Sequence, residues 1–571
     1  MNHPLKNCSA GLLAFSLILL GCEHREWKQF GHDASRRAHQ EDEDVLNVTT
    51  AKTLNYTTSG WVFQSPGGSF VASPTVFDDT VYVGDGLTGI FYAVHARGPN
   101  QGKVRWQYPP ATAPSPPDAC GTTTAPLVIS PMVGSGNPSG PGIASSAAVT
   151  DDVPGNRAAV IFGAPDPNSN GGDGRLWALD ARTGECIWKS AVIAPTSGTS
   201  KIGYSSPAIA HHRAYIGAAA RTPDAPITIG QIYAIKLSDG SRDSSFNFSS
   251  SGPLAGGGIW SSPAITPSGN LIVTTGNSCF HSDPDCTGSV PNPDYNMSMV
   301  KLDWHNGNVL WQLQPVDINY DNDPDYAATP LVAKVHCGVM AIGVQKDGYL
   351  HAVDVRHGGP HSNPSCSYAG HSLECPRWTF PPVPSLPFQT DGHGDTRFIR
   401  PGALAGSHLY ITSGGYNLNE IAPMDIWGNA PGRIILNRLY SLDVCSADDD
   451  RVRWVFDLNG DGAGAPSVAN GLIYVGADTE FDTSSNPHEF YVLADPDTLP
   501  PSGTACSYPL GPATSGFPPG PACAGAGFKT VSVPQTVVHL SLKGAMPGHP
   551  AIAEGRVFVA TAGGYLYGLA P

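Results

Sequence analysis

The sequence predicts an all-β chain folded as an eight-bladed β-propeller, its ring closed by an N-terminal strand. Three observations carry this. One pattern recurs eight times between Ala72 and Pro571. The composition, 66 Gly and 53 Pro with 40% hydrophobic residues, suits many short strands joined by turns and argues against disorder. The eighth copy stops short of its last strand, while the N-terminal region carries a Trp outside any copy.

The copies run in order. The first spans Ala72 to Trp106 and the second Ser145 to Trp188. The third starts at Ser205, the fourth spans Ser261 to Trp311, and the fifth starts at Ala328 with a long insert before Pro376-Arg377-Trp378. The sixth spans Pro401 to Trp454, the seventh starts at Gly464, and the eighth runs from Gly548 to Pro571. Their shared formula is small-Pro-x-apolar, a turn, apolar-aromatic-apolar-Gly, a Gly turn, then x-apolar-aromatic-Ala-apolar-Asp, a turn and a closing Trp. Alternating β-branched and aromatic residues make half-buried strands. The Asp, Asn and Gly pairs between them make hairpin turns. A unit of three to four such strands cannot bury both faces alone, so the units stack radially as propeller blades. The eighth copy ends at Leu569-Ala570-Pro571 without a closing Trp. The segment Arg25 to Asp33, with Trp27 in the register of a closing Trp, is expected to supply that outer strand. The chain thus divides into a leader (1–21), a lead-in with the ring-closing strand (22–60) and the propeller (61–571). The stretches 109–141, 355–396 and 494–545 lack repeat spacing and read as loops on the ring faces.

The leader has Lys6, an apolar run from Leu12 to Leu20, and then Leu19-Leu20-Gly21-Cys22. The run is too short to span a bilayer and reads as a secretory signal. Its last four residues resemble a bacterial lipobox, in which Cys22 would be lipidated; an ordinary signal peptide with a chance Cys is the alternative. Glu23 after the Cys leans towards the outer membrane in that pattern. The expected location is the cell envelope, lipid-anchored and facing the periplasm, or secreted.

Charge excludes one class of partner. With 32 basic and 48 acidic residues the formal charge is −16, unsuited to nucleic acid. Of the 12 Cys, Cys8 leaves with the leader and Cys22 would carry lipid, leaving an even number for an oxidising compartment. Cys279/Cys286, Cys366/Cys375 and Cys506/Cys523 are close enough to close loops as disulfides. Cys120, Cys186, Cys337 and Cys445 show no pairing by spacing. No CxxC or CxxCH occurs, so there is no c-type haem or zinc-ribbon signal. Asp457-Leu-Asn459-Gly-Asp461-Gly462 has Val468 where a calcium loop needs Glu, and reads as a turn. His351, His357, His361, His371 and His393 lack metal-ligand spacing and read as surface residues.

The blade formula resembles the repeat of the pyrroloquinoline quinone (PQQ) enzymes. That repeat is shared by quinoprotein alcohol dehydrogenases, polyvinyl-alcohol-dehydrogenase-like proteins and outer-membrane assembly lipoproteins. Four segments in family order sharpen the likeness. Gly256-Gly-Gly258-Ile-Trp260 resembles the segment whose Trp stacks under the quinone. Thr275-Gly276-Asn277 resembles the one giving an Asn ligand to Ca²⁺. Asp325-Tyr-Ala-Ala resembles the one giving the general base, and Lys346-Asp-Gly the one placing a cation at the quinone. The resemblance therefore implies Trp260, Gly258 and Lys346 at the cofactor, Asn277 and Asp325 at the metal, and Asp325 and Lys346 in catalysis. The residue types suit that chemistry. An aromatic face holds a flat cofactor, and a hard cation takes oxygen ligands. A carboxylate accepts the alcohol proton, and an ammonium stabilises developing negative charge.

The sequence also departs from the family. Where a Glu metal ligand is expected it has Ala218 to Ala220, with Asp224 as the nearest carboxylate. The vicinal Cys pair is absent, since Gly121 follows Cys120, and a cofactor-binding Arg has no match. Two functions follow. One is a quinoprotein dehydrogenase oxidising a small or polymeric alcohol with PQQ and Ca²⁺, passing electrons to an external carrier. The other is a non-catalytic propeller lipoprotein that binds outer-membrane proteins.

Overall fold

A computed structural model describes residues 25–128, 142–168, 173–193, 200–201, 204–220, 230–250, 256–277, 295–315, 325–326, 328–346, 349–356, 367–368, 371–372, 376–380, 400–413, 438–447, 450–458, 464–476, 486–506 and 530–571. Eight blades, each with four antiparallel strands, form the ring, and three of their sheets carry further strands. Blade one is Thr75–Phe77, Thr80–Gly84, Phe91–His95 and Val104–Tyr108. Blade four is Ala264–Ile265, Leu271–Thr274, Met299–Leu302 and Val309–Leu313. Blade five is Leu331–Val335, Gly338–Val344, Leu350–Asp354 and Trp378–Phe380. In each blade the small-Pro-x-apolar segment is the innermost strand, and the closing-Trp segment, where a blade has one, is the outermost. Antiparallel order fixes two faces. The first-to-second and third-to-fourth turns lie on one, the turn face. The second-to-third loops and the links between blades lie on the other.

In five blades the closing Trp docks the blade on the next. Its indole N–H donates to the carbonyl that ends the next blade's third strand. The pairs are Trp61 to Ala96 at 2.9 Å, Trp106 to Ala181 at 3.1 Å, Trp188 to Leu237 at 2.9 Å and Trp378 to Val444 at 3.0 Å. Trp454 donates to the Asp495 carboxylate instead, at 3.0 Å. The ring lies on a turn glycine with φ near +75°: a Cβ on Gly184 would stand 2.7 Å from Trp106, and one on Gly240 2.7 Å from Trp188. That packing is why the Gly turn recurs in the repeat.

Deeper in, a ring of hydroxyls joins the blades. His549 N–H donates to Ser73 Oγ, Ser73 to Ser146, Ser146 to Ser206, Ser206 to Ser262 and Ser262 to Thr329, each at 2.9–3.0 Å. These residues all stand two before the x position of the blade formula. The relay stops at blades six and seven, where that position holds Pro401 and Ala465.

An N-terminal strand closes the ring, but not the segment expected. Trp61–Gln64 pairs antiparallel with Tyr565–Leu569 and completes blade eight. Trp27 is fully buried elsewhere, bridging Val76 of the innermost strand of blade one. The segment from Trp27 to Gln40 is an axial strap that touches the innermost strand of all eight blades in turn. Backbone N–H groups of Val76, Val149, Ile265, Val332, Leu404 and Val468 donate to the carbonyls of Trp27, Lys28, Ala34, Ser35, Arg37 and Ala38, at 2.7–2.9 Å. Ile209 N–H donates to Gln29 Oε1 at 3.2 Å, and Gln40 Nε2 donates to Ile552 O at 3.3 Å. The edge of each innermost strand that faces the axis is thereby paired. The strap's ends lie on the turn face, where Glu26 accepts from Asp78 N–H and Glu43 from Gly555 N–H.

Three other expectations change. The stretch 494–545 is not all loop. Gln535–Lys543 is the outer strand of blade seven, and the hairpin Gly503–Cys506 with Thr530–Val533 extends blade six. Cys120 pairs with Cys186 and Cys337 with Cys445, each pair joining neighbouring blades. The Cys279/Cys286 and Cys366/Cys375 pairs, and Cys523, lie outside the described residues. His351 is fully buried rather than on the surface, because it takes an inward position of blade five's third strand.

Candidate functional site

The glycines before Trp260 serve a chain crossing. Gly256 and Gly257 have φ of 85° and 78°, and a Cβ on Gly257 would meet Asn296 Oδ1 at 2.1 Å. Only Gly fits there. The crossing runs beside the end of blade four's second strand: Gly257 N–H donates to Asn277 O at 2.7 Å and Gly276 N–H to Gly258 O at 2.8 Å. Gly258 and Asn277 are both buried, and Trp260 emerges half-buried at the axial end of blade four, away from the turn face.

Blade five meets it there. Tyr326 bridges Gln345, and Lys346 N–H donates to Asp325 O at 2.9 Å. This backbone pairing sets the two side chains together. Lys346 Nζ lies 2.8 Å from Asp325 Oδ1, with the carboxylate fully buried and the lysine side chain 13% exposed. Trp260 Nε1–H donates across the blade boundary to Asp325 Oδ2 at 3.1 Å, and Lys346 Nζ sits 5.8 Å from the centre of a Trp260 ring. A Cβ on Gly276 would lie 3.6 Å from Asp325 Oδ2, so Asn277 follows directly on the carboxylate's neighbour. Trp260, Asp325 and Lys346, far apart in sequence, thus form one contact group with the Gly258 and Asn277 backbone beside it. The buried charge of Asp325 is compensated by an ammonium and an indole N–H, as a desolvated carboxylate requires.

Behind the group, the Tyr326 hydroxyl lies 3.5 Å from His351 Nδ1. Burial pushes the His351 imidazole down to about 3, so it stays neutral near neutral pH. One neighbour escaped sequence reasoning. Tyr204 makes an edge contact with Trp260, ring centres 6.2 Å apart and planes at 65°. Its signal was present: Tyr204-Ser-Ser-Pro in blade three repeats Trp260-Ser-Ser-Pro in blade four. The equivalent positions of blades one, two and eight carry Val71, Ala144 and Pro547.

The metal donors are sparse. Asn277 and Asp325 are the candidates among the described residues, and no three His, Cys, Asp or Glu side chains gather there as a metal site. Ala218 and Ala219 are fully buried where the family's Glu was sought. Asp224 and Cys22 lie outside the described residues.

No family model matches the chain, and no curated protein matches its sequence. Solved structures do resemble it. A quinohemoprotein alcohol dehydrogenase from Comamonas testosteroni aligns at 15% identity with a TM-score of 0.59, over 96% of this chain and 81% of that one. Quinohemoprotein alcohol dehydrogenase ADHIIG from Pseudomonas putida HK5 aligns at 14% identity and TM-score 0.60, over 96% and 80%. A europium-containing methanol dehydrogenase aligns at 13% identity and TM-score 0.63, over 97% and 99%. At such identities the likeness establishes the fold: this is an eight-bladed propeller of the quinoprotein alcohol dehydrogenase type.

Proposed function

We propose that the protein is an envelope quinoprotein dehydrogenase that oxidises an alcohol with PQQ at the axial end of blades four and five. The observation that carries this reading is the contact group of Trp260, Asp325 and Lys346. The residues suit the organic cofactor: an indole to lie against a flat ring system, with a cation beside it. When bound, the quinone would accept hydride from the alcohol carbon. Asp325 would take the hydroxyl proton on its carboxylate. Lys346 would hold that carboxylate in place and offset negative charge at the cofactor edge. For Ca²⁺ the described donors fall short. The Asn277 amide and a carboxylate already shared with Lys346 and Trp260 do not approach the six to eight oxygens that the ion takes, so no step is assigned to a metal. With no haem motif in the sequence, electrons would leave to a separate carrier.

Location belongs to the same proposal. Lipidation of Cys22 would hold the protein at the outer membrane. Only four residues lie between Cys22 and buried Trp27, so the five steps reach at most about 18 Å. The turn face would then lie against the bilayer and the axial site away from it. The second reading, a propeller scaffold for outer-membrane proteins, draws on Ala218 and Ala219 in place of an acidic ligand.

The test is an absorption spectrum of the mature protein after incubation with PQQ, with and without Ca²⁺, and gel filtration. Retained quinone absorbance that Trp260→Ala abolishes is the expected result. No retained quinone in the unaltered protein, together with capture of outer-membrane proteins, would replace the enzyme with the scaffold.

A further inference from the structure

The Arg36 side chain hydrogen-bonds to two blades at once. Arg36 is 1% exposed, and its side-chain hydrogen bonds go to carbonyl oxygens. Nε donates to Pro263 O at 2.9 Å, Nη1 to Phe30 O at 2.8 Å, and Nη2 to Ser206 O at 3.3 Å and Pro207 O at 3.0 Å. Burial brings its pKa down to about 9. A buried cation held by carbonyls alone is costly, and the position of these carbonyls gives it a use. Pro263 lies three residues after Trp260, and Ser206 two after Tyr204. The guanidinium therefore grips the two segments whose rings touch. The hydroxyl relay ties the same segments together, Ser206 N–H to Ser262 Oγ at 2.9 Å, and continues from Ser262 N–H to Thr329 Oγ1 in blade five.

We propose that Arg36 is a positioning residue for the axial site. Delivered by the strap, it locks the blade three and blade four segments in register, so that Tyr204 and Trp260 form a fixed aromatic corner beside the Asp325–Lys346 pair. The corner would set the plane of a flat ring-bearing ligand, with Tyr204 as a wall that the other described blades lack. The inference rests on the reading of this site as the ligand site. A planar fork bridging several carbonyls cannot be replaced by a lysine point charge.

The experiment labels the tryptophans with 5-fluorotryptophan and assigns the Trp260 resonance with Trp260→Phe. Arg36→Lys is compared with Gln40→Ala, which removes strap contacts to Ile552 of blade eight and to Glu26. The expected result is a shift of the Trp260 resonance and at least tenfold weaker PQQ retention in Arg36→Lys. Gln40→Ala should lower Tm yet leave Trp260 unmoved. An unshifted Trp260 in Arg36→Lys, an equal shift in both variants, or failure of Arg36→Lys to fold while Gln40→Ala folds would overturn the proposal. The resonance is read without cofactor. A selective shift in a protein that retains no PQQ would therefore sink the quinone reading while the positioning role stands.

Discussion

The strap and the axial site are built from the same eight blades in opposite ways. The strap uses what the blades share. At each one it meets the residue just after the x position, by backbone in six cases and through a Gln side chain in two. All eight are hydrogen bonds to the main chain of an innermost strand, so they add to ring closure. The site uses what the blades do not share. Trp260, Tyr204, Asp325 and Lys346 come from blades three to five alone, at positions where the other described blades carry small or aliphatic residues. Stability here comes from keeping the repeat, and the candidate site from breaking it.

The comparison predicts that damage at the two ends will differ in kind. Trp27→Ala empties a fully buried site where the strap pairs with Val76 in both directions, at 3.0 and 2.8 Å. It should cost about 3–5 kcal/mol, measured by denaturant unfolding with an unchanged m-value. The fraction that remains folded should bind PQQ as before, since Trp27 meets blade one. A fall in PQQ binding per folded molecule would erase the distinction between the ends.

Asp325→Asn should be nearly as harmful to stability and far worse for activity. It leaves the Lys346 ammonium, mostly buried, without its carboxylate, at a cost of about 3 kcal/mol. Adding Lys346→Gln should recover part of that loss, because no uncompensated charge remains. Dye-linked alcohol oxidation should be abolished in both variants, while PQQ is retained in Asp325→Asn. If the double variant is no more stable than the single one, the pair is not coupled as its geometry indicates. Undiminished turnover would remove Asp325 as the base.

Much of this was legible because repeats are legible. The innermost strands, the Gly turns and the docking Trp residues recur at one spacing, and the blades follow them. Trp260, Asp325 and Lys346 were picked out by their resemblance to family segments, and they do come together. The strap was not legible: its contact residues fall at irregular intervals, since each is chosen by the blade it faces and not by its own chain neighbours. That also explains the misplacing of Trp27, whose docking-like sequence gave no hint of an axial position. Trp61-Val-Phe-Gln64, an alternating run just before the first copy, was the better candidate for the closing strand. The Cys120–Cys186 and Cys337–Cys445 bridges span 66 and 108 residues and obey blade adjacency, which spacing does not reveal.

The smallest effect should appear at the one joint where the hydroxyl ring carries an imidazole. His549 takes the place that Ser occupies in blades one to four, and its N–H donates to Ser73 Oγ. Its Nδ1 lies 2.7 Å from Pro466 O, so the tautomer that donates there carries its proton on Nδ1. Burial, with the Arg36 guanidinium nearby, lowers its pKa to about 4, although the bond to Pro466 O opposes the shift. The unfolded chain therefore takes up a proton near pH 6.5 that the folded ring refuses. Stability falls as pH drops from about 6.5 to about 4, by at most about 1.4 kcal/mol per pH unit from this residue. In His549→Asn, an amide that does not titrate, the Tm should fall less steeply over that window. His351, held neutral at the site end, contributes a slope of the same sign, so the variant should reduce the dependence without removing it. An unchanged slope would mean that the ring joint opens to water before it is protonated, and that the strap seals this end less completely than its eight contacts imply.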